Sequence, residues 1–162
     1  MGYSNCNDEF TSYEDHFIGD VYSGMKWQCV EYSRRWLIMN RNITYVSVDI
    51  AAEIWDLTTV IMLGGESNST LPFYSFLNGL TPYPPKIGCL LIYNAIDLPP
   101  TGHVAVVVDI NYDAGYINIG EQNWSNDFWP SYFARQIKLS TIDGYYKLED
   151  NYLIGWKCVA GN

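Results

Sequence analysis

The second half of the chain consists of short apolar segments separated by turn sequences, and this pattern restricts the possible folds most. Strands are predicted at residues 89–93, 103–110, 116–120, 134–139, 145–148 and 152–158. Apolar residues occupy every position of segment 104–107, which predicts a strand buried on both faces. Turn sequences at 111–115 and 143–144 predict hairpins, and consecutive hairpins produce an antiparallel sheet.

The first half of the chain lacks these signals and favours helices. Residues 1–25 show no sustained period and are predicted to form a loop with at most one short turn. A helix packed on one side is predicted at about 28–40, and a second at about 50–57 with Asp49 as its N-cap. The proline-rich segment 81–85 divides the two halves. Helices followed by strands indicate an α+β fold, and 162 residues indicate one domain.

The charge of the chain excludes several classes of partner. Eighteen acidic residues against nine Lys and Arg give a net charge of −9. Nucleic acid and anionic membrane surfaces both require a basic footprint, so neither is expected as a partner. The sequence has no apolar run long enough to span a membrane, and its N-terminus has no features of a secretory signal. We therefore predict a cytoplasmic protein.

The cysteines favour reduced thiols over disulfides or a metal. The chain has four, at Cys6, Cys29, Cys89 and Cys158, with no Cys-x-x-Cys pair and only two histidines. A structural metal is not expected from this set, and no other cofactor is implied. Two disulfides are arithmetically possible, but reduced thiols are expected in a cytoplasmic chain. We expect Cys89 and Cys158 to be buried and inert, and Cys6→Ser to leave activity near that of wild type.

Cys29 differs from the other cysteines because it lies in the predicted first turn of a helix. Backbone N–H groups at a helix N-terminus stabilise a thiolate and so lower the pKa of a thiol. A thiolate is a nucleophile, whereas a buried thiol is only a small apolar group. The function of the chain therefore depends on whether Cys29 has catalytic partners.

Two histidines limit the choice of a base. His16 lies in an acidic segment, where a solvated or locally paired imidazole is expected. His103 opens the most apolar predicted strand, and Glu121 follows the next strand, so a hairpin would bring both to one end of the sheet. Each alone has a structural alternative, namely a strand-end histidine bonded to a carbonyl and an acid facing water. Together with a helix-borne cysteine, they are typical of papain-like cysteine hydrolases.

Five segments resemble the amidase domain of bifunctional glutathionylspermidine synthetase/amidase and of the related trypanothione synthetase/amidase. They are residues 26–35, 87–93, 101–105, 119–123 and 153–156. Both enzymes belong to the CHAP group of cysteine- and histidine-dependent amidohydrolases/peptidases. The resemblance extends from about residue 3 to 156 and implies a papain-like CHAP fold, with N-terminal helices packed on an antiparallel β-sheet. It also implies a single CHAP amidase domain over residues 1–162.

The resemblance further implies a reaction and a role for each site residue. Cys29 would attack the amide carbonyl that joins the glycine carboxyl of glutathione to a spermidine amine. His103 would act as general base and then as general acid, and Glu121 would orient it. Substrate binding or site organisation would fall to Arg34, Asn123 and Gln28. Glu31 is expected to be a structural acid of the first helical turn.

Other functions remain open. The bifunctional enzymes carry an ATP-dependent ligase domain after the amidase, and we expect any such activity on a separate domain or protein. The expected partner is a small glutathione–polyamine conjugate, and the acidic charge is compatible with a cationic polyamine. The alternatives are a peptidoglycan-cleaving amidase or endopeptidase, which the wider CHAP group contains, and a catalytically silent binding module.

Overall fold

The computed structural model describes residues 12–64, 69–96, 100–125 and 127–161. In chain order its elements are β1 (Asp15–Ile18), β2 (Val21–Met25), α1 (Cys29–Arg41), β3 (Ile43–Thr44), a 3₁₀ helix (Ala51–Asp56), β4 (Thr59–Met62), β5 (Thr70–Leu77), β6 (Leu90–Tyr93), β7 (His103–Asn111), β8 (Tyr116–Gly120), β9 (Arg135–Ile142), β10 (Tyr145–Leu148) and β11 (Leu153–Val159). Cys6 lies outside the described residues.

Nine of these strands form one sheet in the order β10-β9-β8-β7-β6-β11-β5-β4-β3, and β1 and β2 form a separate hairpin. Every pairing between neighbouring strands is antiparallel, as the turn sequences predict. The order follows the chain from β6 to β10, which is a meander of consecutive hairpins. By contrast, β11 lies between β6 and β5, so the sheet is joined by a strand that comes later than both neighbours.

The core lies on both faces of the central strands. On β7, Val104 and Val106 pack in one apolar cluster with Leu37 of α1, whereas Ala105 and Val107 pack in a second cluster with residues of β8 and β9. All four β7 side chains are fully buried, which confirms the two-sided burial predicted for this strand. Because side chains alternate along a strand, α1 packs on one face of β7 and the second apolar cluster lies on the other.

Helix α1 begins and ends where its sequence directs. Gln28 is the N-cap in extended conformation, and Glu31 places a negative charge in the first turn, where the helix dipole favours it. Asn42 ends the helix in the left-handed conformation, its N–H reaching the carbonyls of Ile38 and Leu37. No helix in the described part of the chain is long and apolar enough to cross a membrane.

The predicted N-terminal helices are reduced to α1 and a short 3₁₀ helix, so that detail of the predicted fold is wrong. The second helix spans only Ala51–Asp56, with Ile50 rather than Asp49 as its N-cap. Its closing bond runs from the Leu57 N–H to the Ile54 carbonyl, the three-residue spacing of a 3₁₀ turn. The predicted N-terminal loop contains the β1–β2 hairpin, and the first half also contributes β3 to β5. The protein is therefore mainly an antiparallel sheet with few helices.

The expectation of four reduced thiols is also wrong, because Cys89 and Cys158 form a disulfide. Trp156 pairs with Leu91 and Lys157 with Leu90, and this register brings Cys158 opposite Cys89 on the neighbouring strand. The expected burial of both cysteines is confirmed. Cys29 is a free cysteine. The cytoplasmic assignment stays a prediction, and the reduced thiols inferred from it are not found at Cys89 and Cys158.

Position 102, which precedes His103, requires glycine both because its φ is positive and because a larger side chain would overlap with neighbouring atoms. A Cβ there would lie 2.6 Å from the Tyr93 carbonyl oxygen, whereas one at Gly19, which also has positive φ, meets nothing within 4 Å. We expect Gly19→Ala to lower the free energy of unfolding by about 1 kcal/mol through backbone strain. Gly102→Ala should lower it by about 3 kcal/mol because overlap with the backbone is added. Denaturant unfolding measures both, and equal losses would contradict the steric argument.

Candidate active site

Cys29 is the first residue of α1 and is only 8% exposed. Burial is the largest influence on its thiol and would by itself raise the pKa. The charge of His103 and a hydrogen bond with it, joined by backbone hydrogen bonds from Val104 and Val30, outweigh burial and lower the pKa. The thiolate expected from the helix start is therefore favoured, with an imidazolium as its main partner.

His103 opens β7 and is 1% exposed. Its Nε2 donates to Oε2 of Glu121 at 2.8 Å, which leaves Nδ1 as the nitrogen for the Cys29 side. Burial alone would lower the pKa of His103. The negative charge of Cys29 and hydrogen bonds to Cys29 and Glu121 raise it to about 9. Thus the three side chains that were expected to act together do lie together, as a thiolate–imidazolium pair backed by a carboxylate.

Glu121 is 2% exposed and is held by a second partner that the sequence did not reveal. Arg135, the first residue of β9, donates from Nε to Oε1 at 2.5 Å and from Nη2 to Oε2 at 3.2 Å. Burial would raise the pKa of Glu121, but hydrogen bonds from His103 and Arg135 and their charges lower it. Glu121 is therefore ionised, with His103 and Arg135 both donating to Oε2 and a second Arg135 bond on Oε1.

Gln28 and Asn123 face each other beside Cys29. The Asn123 side chain donates from Nδ2 to Oε1 of Gln28 at 2.7 Å. Asn123 holds a positive φ of 57°, and its own Oδ1 is buried with no hydrogen-bond partner within the described structure. Because Oε1 of Gln28 accepts this bond, the Nε2 donors of Gln28 lie on the side of the carboxamide away from Asn123.

A cavity of about 520 Å³ opens in front of Cys29. Its wall includes Gln28, Asn123, Asp49 and Arg34. Arg34 is 6% exposed, donates weakly to Thr44 and Ser47 and lies over the rings of Tyr22 and Tyr45. Among the described residues it forms no ion pair with a carboxylate. Such a buried guanidinium attracts an anionic group.

His16 and Glu31 belong to a different network. Nδ1 of His16 lies 2.7 Å from Oε1 of Glu31, which also accepts from Ser23 and from Nε of Arg35. Arg35 continues to Gln122 at 2.9 Å. This network ties the β1–β2 hairpin to α1, in agreement with the structural interpretation of His16 and Glu31.

Metal ligands are not gathered at this site. No group of three or more His, Cys, Asp or Glu side chains among the residues placed by the structure has the spacing to hold a metal ion. The chemistry available to the described residues is that of a thiolate, an imidazolium and hydrogen-bond donors at a helix N-terminus.

Comparison with known proteins adds a family and several relatives. Residues 20–123 match the CHAP domain. The chain is 31% identical to trypanothione synthetase of Crithidia fasciculata over 149 residues, which cover 92% of this chain and 22% of that protein. It is 32% identical to bifunctional glutathionylspermidine synthetase/amidase of Escherichia coli (strain K12) over 147 residues, which cover 86% of this chain and 23% of that protein. The chain thus spans less than a quarter of the length of these relatives. Because residues 20–123 match the CHAP domain, the chain belongs to the CHAP domain family.

Proposed function

We propose that this chain is a cysteine-dependent amidase that hydrolyses the amide between the glycine carboxyl of glutathione and a polyamine. The observation that carries the proposal is the buried Cys29–His103–Glu121 arrangement, with Cys29 opening into the cavity that also contains Arg34. Similarity to proteins named for glutathionylspermidine and trypanothione synthesis supports the substrate class.

In the proposed first step the thiolate of Cys29 attacks the amide carbonyl. The carbonyl oxygen becomes an oxyanion, which the backbone N–H of Cys29 and the Nε2 donors of Gln28 would stabilise. Asn123 would act as a positioning residue, because its bond to Oε1 fixes the orientation of the Gln28 carboxamide. One oxyanion-hole donor typically contributes 10²- to 10³-fold to kcat.

Collapse of the oxyanion then breaks the carbon–nitrogen bond. The imidazolium of His103 gives its proton to the leaving amine, so the polyamine departs and the acyl group stays on Cys29 as a thioester. Neutral His103 next takes a proton from water, whose oxygen attacks the thioester. Glutathione leaves with that oxygen in its glycine carboxylate, and the thiolate–imidazolium pair is restored.

The guanidinium of Arg34 favours a substrate whose acyl part carries a negative charge. The conjugated glutathione keeps the free α-carboxylate of its γ-glutamyl end, and a buried guanidinium without a carboxylate partner among the described residues suits such a group. Asp49 on the cavity wall and the overall negative charge suit a polyamine leaving group.

Mass spectrometry of products in ¹⁸O-labelled water tests the proposal. We expect glutathionylspermidine to yield spermidine and glutathione with one ¹⁸O in its glycine carboxylate. Arg34→Met should raise KM by roughly 10- to 100-fold, since one charge-assisted contact to the substrate is lost. The matched control is Arg41→Met, because Arg41 is exposed and, in the part of the chain that the structure describes, donates a side-chain hydrogen bond only to the Ile87 carbonyl.

The same assay separates the alternative within the family. If the chain released fragments from peptidoglycan and left glutathionylspermidine intact, the proposed substrate would be wrong and the peptidoglycan hydrolase would take its place. Turnover of neither substrate, with no alkylation of Cys29 at mildly acidic pH, would favour a silent binding module.

A further inference from the structure

Arg135 makes the most extensive set of charged contacts around the site, yet it does not line the cavity in front of Cys29. Beyond its two bonds to Glu121, its Nη1 donates to Oδ2 of Asp150 at 3.1 Å and its Nη2 reaches the Tyr93 hydroxyl at 3.4 Å. Tyr93 in turn donates to the same Asp150 oxygen at 2.8 Å. Arg135 is therefore held in place by partners that do not take part in the proposed chemistry.

An aromatic side chain links Arg135 to His103 by a second route. The guanidinium carbon of Arg135 lies 4.6 Å from the ring centre of Trp124, and that ring lies 4.8 Å from the His103 ring. Trp124 thus packs against both side chains, while His103 and Arg135 both donate to Oε2 of Glu121.

The charge of Arg135 balances a cluster that is otherwise negative. A thiolate at Cys29 and a carboxylate at Glu121 give two negative charges, and His103 supplies one positive charge. Arg135 supplies the second. The other titratable or charged groups near Glu121 or Cys29 are Glu31, Tyr32, Arg34 and Arg35 of α1, Tyr45 after β3, Asp49 on the cavity wall, Tyr93 of β6 and Asp150 after β10. Arg34 faces the cavity in front of Cys29 and Arg35 is paired with Glu31, so among the described residues Arg135 is the cation that contacts Glu121 together with His103.

We propose that Arg135 is a positioning residue, which fixes Glu121 through its two-pronged contact and adds a positive charge that favours the carboxylate of Glu121 and, through the cluster, the thiolate of Cys29. The inference rests on the proposed Cys29–His103–Glu121 mechanism. It assigns two separable properties to one side chain: the fork geometry orients Glu121 and hence His103, and the charge favours every negative group in the cluster.

Two substitutions separate these properties. Arg135→Met removes both the positive charge and the two-pronged contact with Glu121. Removing a nearby cation raises the pKa of the Cys29 thiol. The acidic limb of the pH profile for alkylation of Cys29 by iodoacetamide should therefore move up by about one pH unit, and kcat/KM should fall roughly 100-fold. Arg135→Lys keeps the charge and loses the fork. It should leave the alkylation limb in place and still lower kcat/KM roughly 10-fold.

A double-substitution series tests whether Arg135 acts through Glu121. In the Glu121→Gln background there is no carboxylate for the guanidinium to hold, so adding Arg135→Met should lower kcat/KM by roughly 10-fold, the part assigned to the charge, rather than by roughly 100-fold. Arg41→Met is again the control for loss of an arginine. Thermal unfolding identifies the temperature at which every variant is folded, and the alkylation profiles are recorded there.

Three results would overturn the inference. They are an acidic limb of Cys29 alkylation in Arg135→Met identical to that of wild type, a shifted alkylation limb in Arg135→Lys, or full additivity of the losses in kcat/KM between Arg135→Met and Glu121→Gln. Alkylation needs no substrate, so it is informative even if the proposed amide is wrong. Conversely, failure of the substrate assay with an intact alkylation shift would refute the proposed substrate and leave the role of Arg135 standing.

Discussion

Cys29→Ala is expected to lower kcat/KM for glutathionylspermidine by roughly 10⁵-fold or more, since removing the nucleophile of a coupled catalytic set removes most of its rate enhancement. The fold should survive, because Cys29 is a small side chain at the start of α1 and is not part of a disulfide. Single-turnover assays with enzyme in excess measure the remaining rate. Circular dichroism and thermal unfolding report whether α1 and the sheet are intact.

The matched cysteine change is Cys29→Ser, which keeps a hydroxyl of similar size in the same place. A hydroxyl is not ionised by an imidazolium at neutral pH, so the loss should be nearly as large as with alanine. Retention of more than about a tenth of wild-type kcat/KM in the alanine variant, above the level set by contaminating hydrolases, would remove Cys29 from the mechanism.

His103→Ala is expected to produce the second largest loss, about 10³- to 10⁴-fold in kcat/KM, because the general base and acid is removed. The same change should move the alkylation limb of Cys29 toward or above the ordinary thiol range. Burial, which raises the thiol pKa, would then no longer be opposed by the imidazolium.

The pH profile of wild-type activity should be bell-shaped, and the positions of its two limbs follow from the directions of the pKa shifts of Cys29 and His103. On the acidic side activity falls as Cys29 takes up a proton, and this limb lies below the ordinary thiol range because the pKa is lowered. On the alkaline side activity falls as His103 loses its proton at a pKa of about 9. A profile that keeps rising above pH 10, or a single limb near the ordinary value of histidine, would contradict the ion pair.

The sequence predicted the strands after residue 88 because strict apolar segments and turn residues mark them. It also predicted α1, and it selected Cys29, His103 and Glu121, because the residue types that do this chemistry are few in this chain. Two histidines left little choice of base, and the hairpin between β7 and β8 explains why His103 and Glu121 meet.

Other features depended on strand register, which local patterns do not contain. The role of Arg135 follows from its position opposite Ile119 in the β8–β9 pair, next to the end of β8 where Glu121 lies. The disulfide follows from the pairing of β11 with β6, two strands far apart in the chain. Strand β5 was missed because Pro72 and the exposed Tyr74 obscure its alternation.

The position of β11 also has a consequence for how the protein is made. Because β11 lies between β5 and β6, these two strands keep unpaired edges in a growing chain until residues 153–159 have left the ribosome. Exposed strand edges pair readily with other chains, so a nascent or truncated chain of this fold should need protection by chaperones. Until that strand is inserted, the β3–β5 part of the sheet and the β6–β10 part that carries His103 remain unconnected through β11, so the sheet is completed only after a strand that follows all its neighbours in the chain.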